Sequence, residues 1–493
     1  MATRKSNPIK NKQCPESVAA TCPADDDWSG DEAAACSLAD ERLRKRYRRL
    51  LSEIHNCVGG SIPYACQDWA AVKAAYRFLS NERVTEAGIL AGHFEATRAR
   101  VRAAAGTILI LHDTTEFGFR RESAMDFGLL KRPCLDTGRS PGRRRVHITL
   151  RGLLMHSSMV VTLEGVPLGL TAAKFWSRKQ FKDCNALKRK VNPTRIPIEE
   201  KESYRWLENL RQSSRLLEIP ERCVHIGDRE SDIYELFCTA REEGTHFLVR
   251  TCVDRLAGEG GRTVAAAMKK PDAKGTHPLS VQNKDGHFSE AVVDVTWRRL
   301  CILPPLGKQD QWPELELTVI HATERGKPKG REPIHWKLLT SLPVTSLQQA
   351  IEKLNWYALR WKIEVFHKIL KSGCRAEDSQ LRTSERVVKL IALFCIVAWR
   401  IFWLTMVRRT QPQEAVAAVL TADEQAALNK AVPPKDPAAK HHASLDDYIT
   451  AIAQLGGYLA RRNDPPPGNM VVWRGLRRLE DIVTGIKIAK TYG

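Results

Sequence analysis

The stretch TILILHDTT at 107–115 is where the fold first becomes legible. Ile108, Leu109, Ile110 and Leu111 follow one another without a polar break, which is the pattern of a short strand buried on both faces. The run ends in His112-Asp113-Thr114-Thr115. A second run of the same form, CVHIG at 223–227, ends at Asp228. The carboxyl ends of strands are where sheets of alternating strands and helices present functional groups. An aspartate there can equally cap the next turn or helix, and neither Asp113 nor Asp228 decides between these readings alone.

Outward from these runs the chain alternates strand and helix. Further strands are expected at 146–155, continuing to about 161, at 166–176 and at 246–250. Helices are expected at 199–217 and 232–243, the latter closed by Gly244. This is an α/β pattern. From 252 to 344 glycine and proline rise, and 291–298, 315–321 and 336–342 alternate like antiparallel strands, so this part reads as a β-rich insertion. A long helix is expected from about 346 to 371, stopped by Ser372-Gly373, and an apolar one over 384–407. A linker rich in proline and lysine then leads to helices at 444–490, with a bend at LGGY, 455–458.

The length of 493 residues implies several domains. With 77 Lys and Arg against 57 Asp and Glu, the net charge of +20 favours a polyanionic partner. The 13 cysteines are scattered and form no C-x-x-C pair, so reduced thiols of a cytosolic protein are expected rather than a disulfide framework or a zinc site. Residues 1–27 are polar and read as disordered. The apolar run from Leu390 is preceded by Lys389 and broken by Arg400, so it reads as a buried core helix and no membrane partner is expected. RLRKRYRR at 42–49 has six basic residues in eight. Its charge surrounds the helix rather than forming one stripe, which favours phosphate contact over a merely solvated face.

Within the expected helix, Tyr357, Arg360, Glu364 and Lys371 project within about 60° of one another at roughly 100° per residue. Such a row can be a surface ladder, because Arg360 and Glu364 have i,i+4 spacing. It can also be a site in which Glu364 binds a divalent metal and the other three grip DNA phosphates. Hard cations take oxygen ligands, and carboxylates from separate elements can hold two such ions for phosphodiester chemistry.

The words LHDTT at 111–115, GDRESDI at 227–233 and YALRWKIEVFHK at 357–368, with the spacing Tyr357-x2-Arg360-x3-Glu364-x6-Lys371, resemble bacterial insertion-sequence transposases of the DDE class. More narrowly they resemble the Y-R-E-K subgroup, which cuts and pastes DNA through hairpin ends. The resemblance runs from about Trp28 to Ile488. It implies an RNase H-like catalytic core interrupted by the β-rich insertion, an N-terminal helical DNA-binding region and a C-terminal helical dimerisation region. Asp113, Asp228 and Glu364 would be the catalytic residues and bind Mg²⁺ or Mn²⁺. Tyr357, Arg360 and Lys371 would hold the phosphate near the cleaved end, Trp336 would stack on a flipped base, and Arg250, Arg42 and Arg46 would contact DNA.

The implied division is a tail (1–27), an end-binding region (28–103), the first part of the core (104–251), the insertion (252–344), the second part of the core (345–410), a linker (411–443) and a dimerisation region (444–493). The partners would be double-stranded DNA, both element ends and target, and a second copy of the chain in a paired-end complex. The setting would be the bacterial cytoplasm, at the nucleoid. A nuclease of the same fold without strand joining, and a DNA-binding regulator without catalysis, are the rival readings.

Overall fold

The structure is a computed structural model. It describes residues 28–119, 127–131, 134–135, 146–147, 150–178, 196–258, 262–269, 273–282, 288–328, 331–410, 416–434 and 438–492. The expected tail at 1–27 lies outside the described residues, as do part of the linker and the stretch RSPGRRR at 139–145, whose composition reads as a flexible basic loop.

The core begins with β1 (Ile108–Phe119), and its burial explains the site. Ile108 to His112 are buried consecutively, and from Asp113 onward buried and part-exposed residues mix. Strand β1 is therefore longer than its apolar run: it continues through the polar residues HDTT, and Asp113 lies in its middle. The polar stretch marks the point where one flank opens rather than where the strand stops. After the short strands β2 (Gly128–Lys131), β3 (Cys134–Leu135) and β4 (Val146–His147), strand β5 (Leu150–Val161) pairs antiparallel with β1, and β6 (Pro167–Trp176) pairs antiparallel with β5. The helix Tyr204–Leu217 leads to β7 (Cys223–Gly227), which lies parallel to β1 on its other side. The helix Tyr234–Glu242 leads to β8 (His246–Arg250), parallel to β7. The resulting order β6-β5-β1-β7-β8 is that of an RNase H-like core.

The insertion does not form a separate sheet. Strands β9 (Leu256–Ala257), β10 (Arg262–Thr263), β11 (Ala273–Gln282), β12 (Phe288–Ile302), β13 (Leu315–Glu324) and β14 (His335–Thr340) extend the core sheet, because β14 pairs antiparallel with β8. Pro278 lies on β11, an edge strand of the described sheet, where a missing N–H costs no ladder bond.

The helix Ser384–Thr410 is long and apolar enough to cross a membrane, yet its most apolar stretch is wholly buried in the protein. The two charges that interrupt it each have partners. Lys389 Nζ donates to the Asn81 carbonyl at 2.9 Å and meets Glu385 at 2.5 Å, and Arg400 lies over the Trp28 ring. Trp399 Nε1 donates to the Pro167 carbonyl, docking the helix on β6. Beside it, buried Glu32 pairs with His93 at 2.5 Å and with Arg100 at 2.7 Å. Arg100 also reaches the Leu168 carbonyl and stacks on Trp399. Burial raises the pKa of Glu32, but Arg100 and His93 outweigh it and bring the carboxyl down to about 2.

The basic helix Glu41–Asn56 is capped by Asp40 and does have an apolar stripe: Leu43, Tyr47, Leu50, Leu51 and Ile54 are buried. Its charge therefore occupies only the outward faces, which corrects the expectation of charge all round. Nine of the cysteines are free thiols, and seven of these nine are buried. At the C-terminal end the helix Leu445–Leu455 stops at Gly456, with Gly457 at φ 96° and Tyr458 N–H returning to the Ala453 carbonyl. The helix Asn469–Tyr492 crosses it so closely that a Cβ at Gly475 would sit 1.7 Å from the Ile452 carbonyl oxygen.

Candidate active site

Asp113 and Asp228 are brought level by strand register. Strands β1 and β7 pair from Ile108↔Cys223 to Leu111↔Ile226. Two residues further along each strand stand Asp113 and Asp228, on the same face because side chains alternate with period two. The ladder ends before them, so they flank the start of a cleft. Asp228 also caps the following turn, accepting the Glu230 N–H at 2.9 Å. The capping and functional readings are thus compatible at this residue.

Glu364 approaches from the other side, but the helix that carries it is not continuous. Helix Leu347–Ala358 passes through Leu359 and Arg360 into helix Trp361–Lys368, then into a wider turn at Ile369–Gly373. Around the junction, N–H groups bond three residues back, as Arg360 does to Tyr357 and Ile363 to Arg360. The row of four nevertheless largely holds. Arg360 interacts electrostatically with Tyr357 and lies 2.6 Å from Glu364. Lys371 sits over the ring of Phe117 on β1, 5.7 Å from its centroid.

The electrostatics single out Asp113. Burial first, then repulsion from Asp228 and Glu364, raise its pKa to about 7 against the opposing pull of Arg360 and the Thr114 N–H. Arg360 stays fully charged despite burial, because Tyr357, Glu364 and Asp113 favour its cationic form. His367 Nδ1 lies 3.7 Å from Asp113, and its Nε2 is 2.9 Å from Ser157 Oγ. Burial, helped by Lys371 and Arg360, lowers the His367 pKa to about 3, so this imidazole is neutral and forms no ion pair.

These oxygen donors suit a hard divalent cation. As the side chains stand, no three His, Cys, Asp or Glu among the described residues are close enough to hold a metal ion, and Glu364 engages Arg360 instead. The raised pKa of Asp113 comes first from burial, with the charges of Asp228 and Glu364 adding to it and the Arg360 guanidinium opposing it. The residues fit such an ion once Glu364 leaves Arg360.

Trp336 on β14 meets Tyr357 edge-on, ring centroids 5.1 Å apart. Arg250 ends β8, where its guanidinium donates to the His335 carbonyl and acts on Tyr357 through its charge. Arg42 is exposed and Arg46 half-buried on the N-terminal helix, remote in sequence from this cluster. Sequence reasoning missed His367, three residues after Glu364 and hence on the same helix side, and Arg205 with Glu230, described below. The spacing signalled the first; the second pair had only the charge of Glu230 beside Asp228.

Three family models match the chain. Residues 25–84 match one described as Transposase DNA-binding, residues 204–400 one described as Transposase DDE domain, and residues 396–493 one described as Transposase Tn5 dimerisation domain. With these domains in this order the chain is a DDE transposase, a polynucleotidyl transferase and endonuclease of a class that works with divalent metal ions. It binds DNA through the first domain and forms a homodimer through the last. Asp228, Arg250, Trp336, Tyr357, Arg360, Glu364 and Lys371 fall within the DDE match, Arg42 and Arg46 within the DNA-binding match, and Asp113 ahead of the DDE match.

Proposed function

We propose that this transposase is of the Y-R-E-K kind and moves its element by cut and paste through hairpin ends, with Asp113, Asp228 and Glu364 as metal ligands. The observation that carries this is the level placement of Asp113 and Asp228 on adjacent parallel strands, opposite the Tyr357–Arg360–Glu364 row. Mg²⁺, or Mn²⁺ in its place, would polarise the scissile phosphate and acidify the attacking hydroxyl when held by these carboxylates.

The rest of the chemistry falls to the chain's own groups. Arg360, once free of Glu364, offers its fork of donors to a phosphate. Tyr357 keeps its proton, since burial raises its pKa, and donates a hydroxyl hydrogen bond. Lys371 adds a point charge, and Arg250 flanks the same cleft. Trp336 leaves part of its ring free to stack on a base turned out of the duplex. Arg42 and Arg46 read or grip the element ends. Water nicks one strand, and the freed 3′-hydroxyl attacks the opposite strand to close a hairpin. Water then reopens the hairpin, and the same hydroxyl joins target DNA. The domain bounds follow the division given above, and the setting is the cytoplasm at the nucleoid.

Incubating the dimer with DNA carrying the flanking ends and Mg²⁺ tests this on a denaturing gel. Hairpin-ended fragments support the reading. Nicked or linear products without hairpins point to a nuclease of the same fold.

A further inference from the structure

We propose that Arg205 is a positioning residue that sets the spacing between Asp113 and Asp228. This rests on the reading of those aspartates as metal ligands. Arg205 lies at the start of helix Tyr204–Leu217 and is only 5% exposed. Its guanidinium makes three directed bonds. Nε donates to Thr114 Oγ1 at 3.2 Å, Nη2 to Glu230 Oε2 at 2.6 Å, and Nη1 to the Glu202 carbonyl at 2.7 Å. The Trp176 ring lies beside it, 5.1 Å away.

The two side chains it holds belong to residues near the aspartates in the chain. Thr114 directly follows Asp113 on β1, and the backbone N–H of Glu230 donates to Asp228 Oδ1 at 2.9 Å. One planar group thus grips the chain neighbour of Asp113 and the residue whose amide orients Asp228. It acts where it is needed, because the β1–β7 ladder ends at Leu111↔Ile226. Beyond that point backbone pairing no longer sets the distance between the strands. His156 Nδ1 bonds the same Thr114 hydroxyl at 2.9 Å, so that arm is held from both sides. A lysine offers a point charge and cannot reach Thr114, Glu230 and Glu202 in one plane.

The test is Mn²⁺ binding to the metal-free full-length dimer, followed by calorimetry, for wild type, Arg205→Lys, Glu230→Gln and Asp113→Asn. Binding of end DNA without metal is measured in parallel. Glu230→Gln and Arg205→Lys should each weaken Mn²⁺ binding about tenfold, as loss of outer-shell support does, with end binding unchanged. Their combination should be little worse than either alone, since both cut one brace. If both bind Mn²⁺ as wild type does while Asp113→Asn does not, Arg205 only neutralises Glu230 and the proposal fails. If Asp113→Asn binds Mn²⁺ normally, the reading of the site fails first. Should Arg205→Lys not fold, Glu230→Gln carries the test alone, because Glu230 is half exposed.

Discussion

Arg360 and Glu364 are joined at 2.6 Å across one helical turn, so the glutamate of the candidate triad is held by a cation of its own chain. The ladder that the i,i+4 spacing allowed is therefore present in the structure. On the proposed reading a divalent ion at Glu364 would compete with Arg360, and the pair would open when metal and DNA phosphate arrive together.

Removing the competitor should separate metal binding from catalysis. Arg360→Gln is expected to tighten Mn²⁺ binding in the absence of DNA about fivefold, the worth of a partly exposed ion pair. The same change should slow end cleavage about a hundredfold or more, because the phosphate loses its donors. Calorimetry and single-turnover cleavage check the two arms. Weaker metal binding in the variant contradicts the competition.

Trp336 and Tyr357 form one edge-on aromatic pair beside the cleft. Trp336→Ala should leave the first nick near wild-type rate but slow hairpin closure by an amount equivalent to about 1–3 kcal/mol, the value of a base stacked on an aromatic ring. Nicked ends should then accumulate on a denaturing gel. Equal slowing of both steps would mean that the ring supports the fold rather than a base.

The pH dependence of the metal-free protein follows from Asp113. Its folded pKa of about 7 lies above the ordinary value of 3.8, so the folded state holds the extra proton between those values. The stability this contributes is complete below about pH 3.8 and is lost as pH rises towards 7, by at most about 1.4 kcal/mol per pH unit. Asp113→Asn should thus stabilise the protein, relative to wild type, more at pH 7.5 than at pH 5 in chemical denaturation. Added Mg²⁺ should raise the wild-type melting temperature more at the higher pH. A stability difference that does not change with pH contradicts the assignment.

Glu32 tests the fold apart from the chemistry. Replacing it with Gln leaves buried Arg100 without its carboxylate and should cost about 3–5 kcal/mol. Because its folded pKa is lowered to about 2 from 4.5, its contribution is present above about pH 4.5 and lost as pH falls through 2. Urea denaturation at pH 7 and pH 3 measures both. A variant as stable as wild type at pH 7 would show the buried cluster to be energetically neutral.

Much of this architecture was legible because the apolar runs at 108–111 and 223–227 bury both faces and can only be central strands. Their shared ending in aspartate placed the two carboxylates at one level. What escaped was non-local or irregular. Periodicity cannot register the tightened junction at Leu359-Arg360 or the widened turn at Ile369–Gly373, so the broken helix read as one. The polar residues of β1 looked like a strand end, because an open flank and a terminus leave the same pattern. That the insertion shares the core sheet depends on β14 meeting β8 across 85 residues or more of chain, a pairing no local window contains. The buried histidines His112, His156 and His225, linked to Ser158 and Thr114 beneath the site, carry no spacing that marks them in advance.

The most direct test is single-turnover cleavage of end DNA in Mg²⁺ by Asp113→Asn, Asp228→Asn and Glu364→Gln, each at a concentration that gives wild-type end binding. If the three carboxylates act together on one phosphate, every variant should lose at least about a thousandfold in rate while still binding ends as a dimer. Wild-type cleavage by any one of them contradicts the account.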